Sequence, residues 1–373
     1  MMVDHFEVHQ VSTNQQLAEV ARGWLDKELI ALDTEFMRVR TFYPAAALFQ
    51  VCDAEAVYLI DPVAVTDLEP LADVLRCSSV IKLMHSCSED LEVCDRHLGA
   101  LPDPLFDTQI AGAFCGLGLS MGYQRMLDDV LGLTLEKSET RTDWLQRPLS
   151  DAQLRYAAED VAYLPGLYRE LRSRLEQSGT NAWVQEECAA VLTRFAARNP
   201  GAEYTSVSGA WRLSSEQLAV LRALYEWRDE TARSRDLPRN WVASDKALLQ
   251  LAQRQPTAIA QLGSIDDLAP GSIRRYGAAM LQVIAGVCEL ESDDYPPTLP
   301  RPLSPAEGKQ LKRLKAVITR CAERLQVAPE IIARRRDIED VLRFGAASDC
   351  PLMSGWRFEE CGRDVLSERD GEQ

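Results

Sequence analysis

Asp33 and Glu35 stand one residue apart in the stretch ALDTEF, at the end of the apolar run Leu29–Leu32. On a β-strand, residues two apart share a face. Two carboxylates held side by side at the edge of a buried sheet repel and raise each other's pKa. Two further acids stand in comparable settings. In VIKLMHSCSEDLEV, Asp90 falls in the first turn of a helix directly after a strand, where α/β sheets place their functional crevice. In LRYAAEDVAYL, Tyr156 and Asp160 are four apart and project from one helix face, with Leu154, Ala157, Val161 and Leu164 on the apolar side. Four converging acids carry a charge of about −4, which two divalent cations cancel. Mg²⁺ and Mn²⁺ prefer carboxylate oxygen, and Mg²⁺ keeps waters for a substrate phosphate. A two-ion site activates water on one side of a phosphodiester and steadies the leaving oxygen on the other. Tyr156, with an ordinary pKa near ~10, suits orienting that water better than deprotonating it. Alone, a DxE at a strand end is most often surface, and a YxxxD helix most often a packed tyrosine beside a solvated acid. The conjunction is what is specific.

The elements that must position these residues follow an α/β pattern over the first ~110 residues. ELIALDTEF, AALFQVCD, AVYLID and VIKLMHS read as strands. TNQQLAEVARGWLDKE and SEDLEVCDRHLGA read as helices, the first capped by Thr or Asn and the second by Ser. RTFYPA reads as a hairpin-like connection. Residues 109–198 turn helical and end at AARNPG, a boundary signal. A helical unit opens at Ser214 and runs to about 290, ESDDYPPTLPRPLSP reads as a linker, and a third helical unit starts at Ser304. Two all-helical units of similar size suggest a degenerate duplication.

The chain has 373 residues, 46% hydrophobic and 26% charged, enough for two or three domains. It has no apolar run of membrane-spanning length and its first residues lack a signal-peptide pattern, so a cytoplasmic location is expected. Its ten cysteines read as reduced thiols; Cys77, Cys87, Cys94 and Cys115 match no zinc spacing. The net charge of −16 is uneven. Residues 1–200 hold 17 Lys+Arg against 31 Asp+Glu, a net of −14, whereas residues 301–345 hold 11 against 6, a net of +5. That split suggests that the C-terminal part grips a polyanion, with a mixed-charge helix surface as the alternative.

DTEF, HSCSEDLEV and YAAEDVAYL resemble the three motifs of the DEDD 3′→5′ exonucleases in their tyrosine (DEDDy) branch, and FDTQIAGAFCGLGLSMGYQRML and LGLTLEKSETRTDWLQRPLS bring residues 28–175 closest to the bacterial ribonuclease D family. The resemblance implies a ribonuclease H-like α/β exonuclease domain (1–200), an HRDC domain (211–291) carried by LYEWRDETARSRDLPRNWVASDKALLQLAQRQPT, and a second, divergent HRDC-like domain (301–367). It implies that Asp33, Glu35, Asp90 and Asp160 bind two Mg²⁺ or Mn²⁺ ions, that Tyr156 orients the nucleophilic water, and that nucleoside 5′-monophosphates are released from the 3′ end. The implied substrate is RNA with a single-stranded 3′ end, tRNA precursors foremost, with no obligatory protein partner. One departure is YPAAALFQV, where family members carry a bulkier residue in place of one alanine; this touches packing beside the acids. A DNA exonuclease and an inactive nucleic-acid-binding scaffold are the competing readings. The intact acids weigh against the scaffold.

Gripping a single-stranded end calls for phosphate contacts and aromatic stacking. Candidates near the acids are Lys137, Arg141 and Trp144 in EKSETRTDW, Phe36 directly after Glu35, Gln109 and Tyr123. Trp144 and Phe36 could equally be core residues. His85 suits a neutral strand-end role better than metal ligation. RRYG (Arg274, Arg275) and ARRRD (Arg334, Arg335, Arg336) are the candidate accessory contacts. A chain ending near Gly209 is expected to keep a complete metal site.

Overall fold

The computed structural model describes residues 2–3, 6–135, 142–198, 200–287, 289 and 291–371. Seven strands form one mixed sheet: β1 (Met2–Val3), β2 (Phe6–Val11), β3 (Leu29–Met37), β4 (Ala45–Cys52), β5 (Ala56–Ile60), β6 (Ile81–Met84) and β7 (Leu105–Asp107), in spatial order β1-β2-β5-β4-β3-β6-β7. β3 runs antiparallel to β4 and parallel to β6, so the strand bearing Asp33 and Glu35 lies inside the sheet. The four strands anticipated in the sequence are present. β1, β2 and β7 were not anticipated. β2 alternates buried Phe6 and Val8 with exposed Glu7, and β7 is only three residues long.

Helices α1 (Asn14–Trp24), α2 (Glu69–Arg76), α3 (Asp90–Leu98), α4 (Thr108–Phe114), α5 (Tyr123–Leu131), α6 (Asp151–Ala162), α7 (Leu164–Ser178) and α8 (Asn181–Ala196) follow among the strands and after them. Thr13 caps α1 through a capping box with Gln16, as its sequence suggests. The serine cap expected for α3 is not used. Its cap position is Glu89 in helical conformation, without a side-chain bond, because the Leu91 N–H already donates to the Cys87 carbonyl and the turn runs straight into the helix.

The chain forms two compact units. One holds residues 1–37, 45–196 and 303–373, and the other holds 38–44 and 197–302. In the second unit, α9 (Ser215–Ser234), α10 (Arg239–Val242), α11 (Asp245–Arg254), α12 (Ile259–Leu262) and α13 (Pro270–Val287) surround Leu218, Leu221, Leu224, Leu248, Leu251 and Met280. RTFYPA is not a simple hairpin loop: residues 38–44 belong to this unit, Phe42 is buried in its core, and the Phe42 and Tyr43 N–H groups donate to the Asp236 carboxylate (2.9 and 3.0 Å).

The C-terminal segment forms α14 (Pro305–Leu325), α15 (Pro329–Ile332), α16 (Arg335–Phe344), α17 (Gly355–Arg357), a π-turn over Phe358–Gly362, and α18 (Arg363–Asp370). The series of 21, 4 and 10 residues in α14–α16 repeats the 20, 4 and 10 of α9–α11, the pattern of a duplicated helical unit. This segment does not stand apart as the sequence suggests. It shares one hydrophobic core with the sheet and its helices. Trp356 stacks on Trp183 of α8 (centroids 4.8 Å, 15°) and meets Phe114 of α4 edge-on at 5.3 Å. Its indole N–H donates to the buried Glu187 carboxylate at 2.9 Å, and Arg357 closes a two-pronged ion pair on the same carboxylate. Arg357 also donates to the Ile331 and Ile332 carbonyls.

A chain ending near Gly209 lacks Trp356 and Arg357 and so leaves Trp183, Phe114 and the Glu187 carboxylate uncovered, although the four acids and Tyr156 all lie before residue 161. Breaking a buried pair by removing one partner costs about 3 kcal/mol or more. Arg357→Ala is expected to lower unfolding stability by that order in urea titration, and Glu187→Gln/Arg357→Ala to lose less than the sum of the single changes. Additive losses would show that the ion pair contributes nothing beyond packing.

Candidate active site

Asp33 and Glu35 occupy the C-terminal half of β3, opposite Gln50 and Leu48 of β4. Beyond Glu35 the pairing slips: Glu35 faces Leu48 and Phe36 faces Ala46, which leaves Ala47 as the extra residue of a bulge. Asp90 opens α3, which follows β6, the parallel neighbour of β3. Tyr156 and Asp160 lie on α6, which packs against β3, β4 and β5. Asp90 is buried, and the other four side chains are half-buried.

The acids act on one another. Burial and the fields of Asp90, Asp160 and Glu35 hold the Asp33 carboxyl well above the usual carboxylate range. Burial, with Asp160 and Asp90, pushes Glu35 up to about 8. Burial raises Asp160 to about 7, with Glu159 adding to it and the hydrogen bond from Tyr156 opposing it. Burial raises Asp90 to about 6 against a short hydrogen bond from the Thr34 hydroxyl (2.5 Å). The Tyr156 phenol is raised too, first by burial and then by Asp160, Glu35 and Asp33, so it stays protonated and donates to Asp160. Asp33 and Glu35 both feel the charges of Asp90 and Asp160. The cluster is not a closed cage, for among the described residues no three His, Cys, Asp or Glu side chains close around a common point. Oxygen-only donors that raise each other's pKa fit hard divalent cations.

Three supports hold this arrangement, and the sequence reading missed all three. Thr34, between the two strand acids, reaches Asp90 across 56 residues. Asp107, at the end of β7, accepts from the N–H groups of Ser86 and Cys87 (both 3.0 Å) and caps α4 through Gln109 N–H at 2.8 Å; it fixes the turn that launches α3. An Asp between a strand and a helix in FDTQ is the signal for such a cap. Arg147 grips Asp61 with two bonds of 2.7 Å and donates to the bulged Ala47 carbonyl at 2.6 Å, pinning the segment before α6 to the sheet. Burial alone would raise the Asp61 carboxyl, but the Arg147 bonds hold it below its usual range. Ser150 then starts α6 with a capping box to Gln153.

The other candidates divide. Trp144 is 3% exposed and packs 6.0 Å from the Tyr156 ring, so it offers no face to a base and instead braces the tyrosine. Phe36 is half-buried at the bulge. The Gln109 amide donates to the Met121 carbonyl, and the Tyr123 hydroxyl to the Glu159 carbonyl (3.2 and 3.1 Å), so both brace local backbone. Lys137 and Arg141 lie outside the described residues. Arg274 and Arg275 are exposed on α13 of the second unit. Arg334 precedes α16 and is exposed, whereas Arg335 is paired with Glu339 at 2.6 Å and Arg336 lies 4.0 Å from Asp340. His85 Nδ1 shares a 2.9 Å hydrogen bond with Thr108 Oγ1, which lies 3.1 Å from the Met84 carbonyl. Burial lowers its pKa, in keeping with a neutral strand-end role.

Residues 8–176 match the 3′-5′ exonuclease family, and residues 217–284 match the HRDC domain. The chain is 42% identical to ribonuclease D of Pseudomonas paraeruginosa over 98% of its own length and 99% of that protein. It is 38% identical to ribonuclease D of Escherichia coli over 94% and 95%. This chain belongs to the ribonuclease D family. The crystal structure of Escherichia coli RNase D superposes with a TM-score of 0.91 at 36% identity, covering 98% of this chain and all of that one. The catalytic core of RRP6 from Trypanosoma brucei, at 22% identity and a TM-score of 0.57, shares the fold. The chain is thus a 3′→5′ exoribonuclease with a ribonuclease H-like domain and an HRDC helical region. Ribonuclease D relatives imply dependence on divalent metal in general.

The raised carboxyls set a pH dependence for the metal-free protein. The folded state binds more protons than the unfolded chain across the window from about 4 to 8, so these groups favour folding at low pH, and their contribution is lost as pH rises through about 6, 7 and 8. Asp160→Asn is expected to raise Tm in EDTA at pH 8.5 by about 5 °C and by about half as much at pH 5.5. The same shift at both pH values would mean that Asp160 does not titrate in this window.

Proposed function

We propose that Asp33, Glu35, Asp90 and Asp160 hold two Mg²⁺ or Mn²⁺ ions and that the enzyme hydrolyses the last phosphodiester of an RNA 3′ end, releasing nucleoside 5′-monophosphates. The observation that carries this reading is where the fold puts the acids: Asp33 and Glu35 on β3, Asp90 at the start of α3 in a hydrogen bond from Thr34 of β3, and Asp160 on α6, which packs against β3. Divalent ions bound there supply the charge that acidifies the attacking water and steadies the leaving oxygen. The Tyr156 phenol, kept protonated and tied to Asp160, holds the attacking water by a hydrogen bond and fixes its line of approach. Trp144 behind the Tyr156 ring limits its swing. Thr34 holds the Asp90 carboxylate toward the strand acids.

The preferred substrate in this proposal is a structured small RNA with a single-stranded 3′ end, tRNA precursors foremost. The Escherichia coli relative, described as an exoribonuclease involved in structured RNA processing, supports that choice. The proposal keeps the division into exonuclease (1–200), HRDC (211–291) and divergent HRDC-like (301–367) domains, the last joined to the first in one core. It sets the enzyme in the cytoplasm, consistent with the lack, among the described residues, of a helix long and apolar enough to cross a membrane.

Asp33→Asn, Glu35→Gln, Asp90→Asn and Asp160→Asn are each expected to lower the release of labelled 3′-nucleotide at saturating Mn²⁺ at least a hundredfold while the circular dichroism stays native. Near-normal rates in any two would sink the two-ion assignment. Matched single-stranded DNA run alongside tests the DNA alternative; equal kcat/KM on both would favour it. Tyr156→Phe is expected to lower kcat far more than it raises KM, since the phenol acts chiefly in the transition state. An equal change in both would make it a grip on the substrate.

A further inference from the structure

Gln50 stands in β4 between Phe49 and Val51, and all three side chains are fully buried. In that apolar setting neither Oε1 nor Nε2 of Gln50 meets a hydrogen-bond partner among the described residues. An amide buried in this way opposes folding, because it gives up water and gains nothing in return. A methionine or leucine of similar volume would pack there without that cost. A use for the amide other than stability is therefore to be sought among its neighbours.

The register of the sheet supplies one. Gln50 is paired directly with Asp33 across the β3–β4 ladder. Residues so paired project from the same face, with Cβ atoms about 5 Å apart. A glutamine side chain turned toward its partner thus brings its amide within hydrogen-bond reach of an aspartate carboxylate. The other acids show why that matters. Asp90 has a side-chain donor in the Thr34 hydroxyl, and Asp160 has one in the Tyr156 phenol. The hydrogen bond that supports Asp33 comes from the Thr34 backbone. A carboxylate that lends one oxygen to a cation is oriented by the donor on its other oxygen. Of the two β4 residues facing the strand acids, Leu48 opposite Glu35 has nothing to donate, and Gln50 opposite Asp33 has an amide.

We infer that Gln50 is a positioning residue of the cation site: its Nε2–H group donates to one oxygen of the Asp33 carboxylate and so turns the other toward a bound divalent ion. The inference rests on the two-ion reading of the acids proposed above. It gives the buried amide opposite effects on two measurable quantities. Unpartnered in the fold itself, the amide lowers stability; as the group that orients Asp33, it raises metal affinity. Its removal therefore moves the two apart, which a residue that merely fills space in β4 does not do.

The test uses the full-length protein, with Mn²⁺ binding read by electron paramagnetic resonance and Tm read in EDTA. Gln50→Met keeps the length of the side chain and removes the amide. It is expected to weaken Mn²⁺ binding about tenfold and to raise Tm in EDTA by a few degrees. Release of labelled 3′-nucleotide is expected to fall at limiting Mn²⁺ and to return to near the wild-type rate as Mn²⁺ is raised. Gln50→Leu also lacks the amide and is expected to weaken Mn²⁺ binding in the same way, so that the reading does not depend on how methionine packs. Wild-type Mn²⁺ affinity in both variants overturns the inference and leaves Gln50 a packing residue. A loss of rate that added Mn²⁺ does not restore overturns it as well, since the amide would then act on the fold or the substrate. Equal Mn²⁺ binding by the wild type and Asp33→Asn would instead overturn the two-ion reading on which the inference rests.

Discussion

Four carboxylates confined at one end of β3 repel one another, and much of the exonuclease fold can be understood as what holds them there. Left to itself the cluster would separate or take up protons, and burial adds to that pressure at Glu35, Asp90 and Asp160. β3 is held along the acids by β4 and at its start, Leu29–Ala31, by β6 as well. α3 cannot yield, because Asp107 bonds the turn before it and Thr34 holds Asp90 directly. α6 is fixed at its start by the Ser150–Gln153 capping box and by Arg147, whose bonds reach Asp61 and the bulged Ala47. Apart from the local capping box, each support is a hydrogen bond or ion pair to a neighbour distant in sequence. On the proposed two-ion assignment the cluster is preorganised: the electrostatic cost is met in folding, and a bound divalent ion would relieve it.

What was legible in the sequence depended on the range of the interaction. The four acids and Tyr156 could be read because each sits at a junction that local pattern reveals: an apolar run ending in DxE, a strand leading into a helix, a YxxxD face. Strands β3 to β6 were legible for the same reason. The supports were not. Thr34 bonds across 56 residues and Arg147 across 86 and 100, and no local pattern announces such a partner. Trp144 misled for a related reason. In TRTDW it stands among polar residues, as an exposed aromatic would, yet tertiary packing turns it inward onto Tyr156. β7 is too short for periodicity to register.

Charge counting illustrates the same limit. Residues 301–345 carry a net +5, which reads as a surface for phosphate. In the fold much of that charge is already engaged. Arg335 pairs with Glu339, Arg324 with Glu360, and Arg336 approaches Asp340, although such exposed pairs contribute little and could exchange for phosphate. Arg357, just beyond that stretch, lies in the core against Glu187. The near-neutral second unit, by contrast, leaves Arg275 exposed on α13 without an acidic partner among the described residues. Net charge sums every residue, whereas a ligand meets only those whose partners are water. The two related helical units have thus diverged in what they leave uncovered. One turns its short-helix face into the catalytic unit's core, where Ile331 and Ile332 are buried and Trp356 and Arg357 join it to α8. The other keeps Val242 inside and Trp241 outside on the equivalent turn. The difference lies on one four-residue helix: Ile331 and Ile332 turn inward in the segment that completes the catalytic core, and Trp241 turns outward in the other.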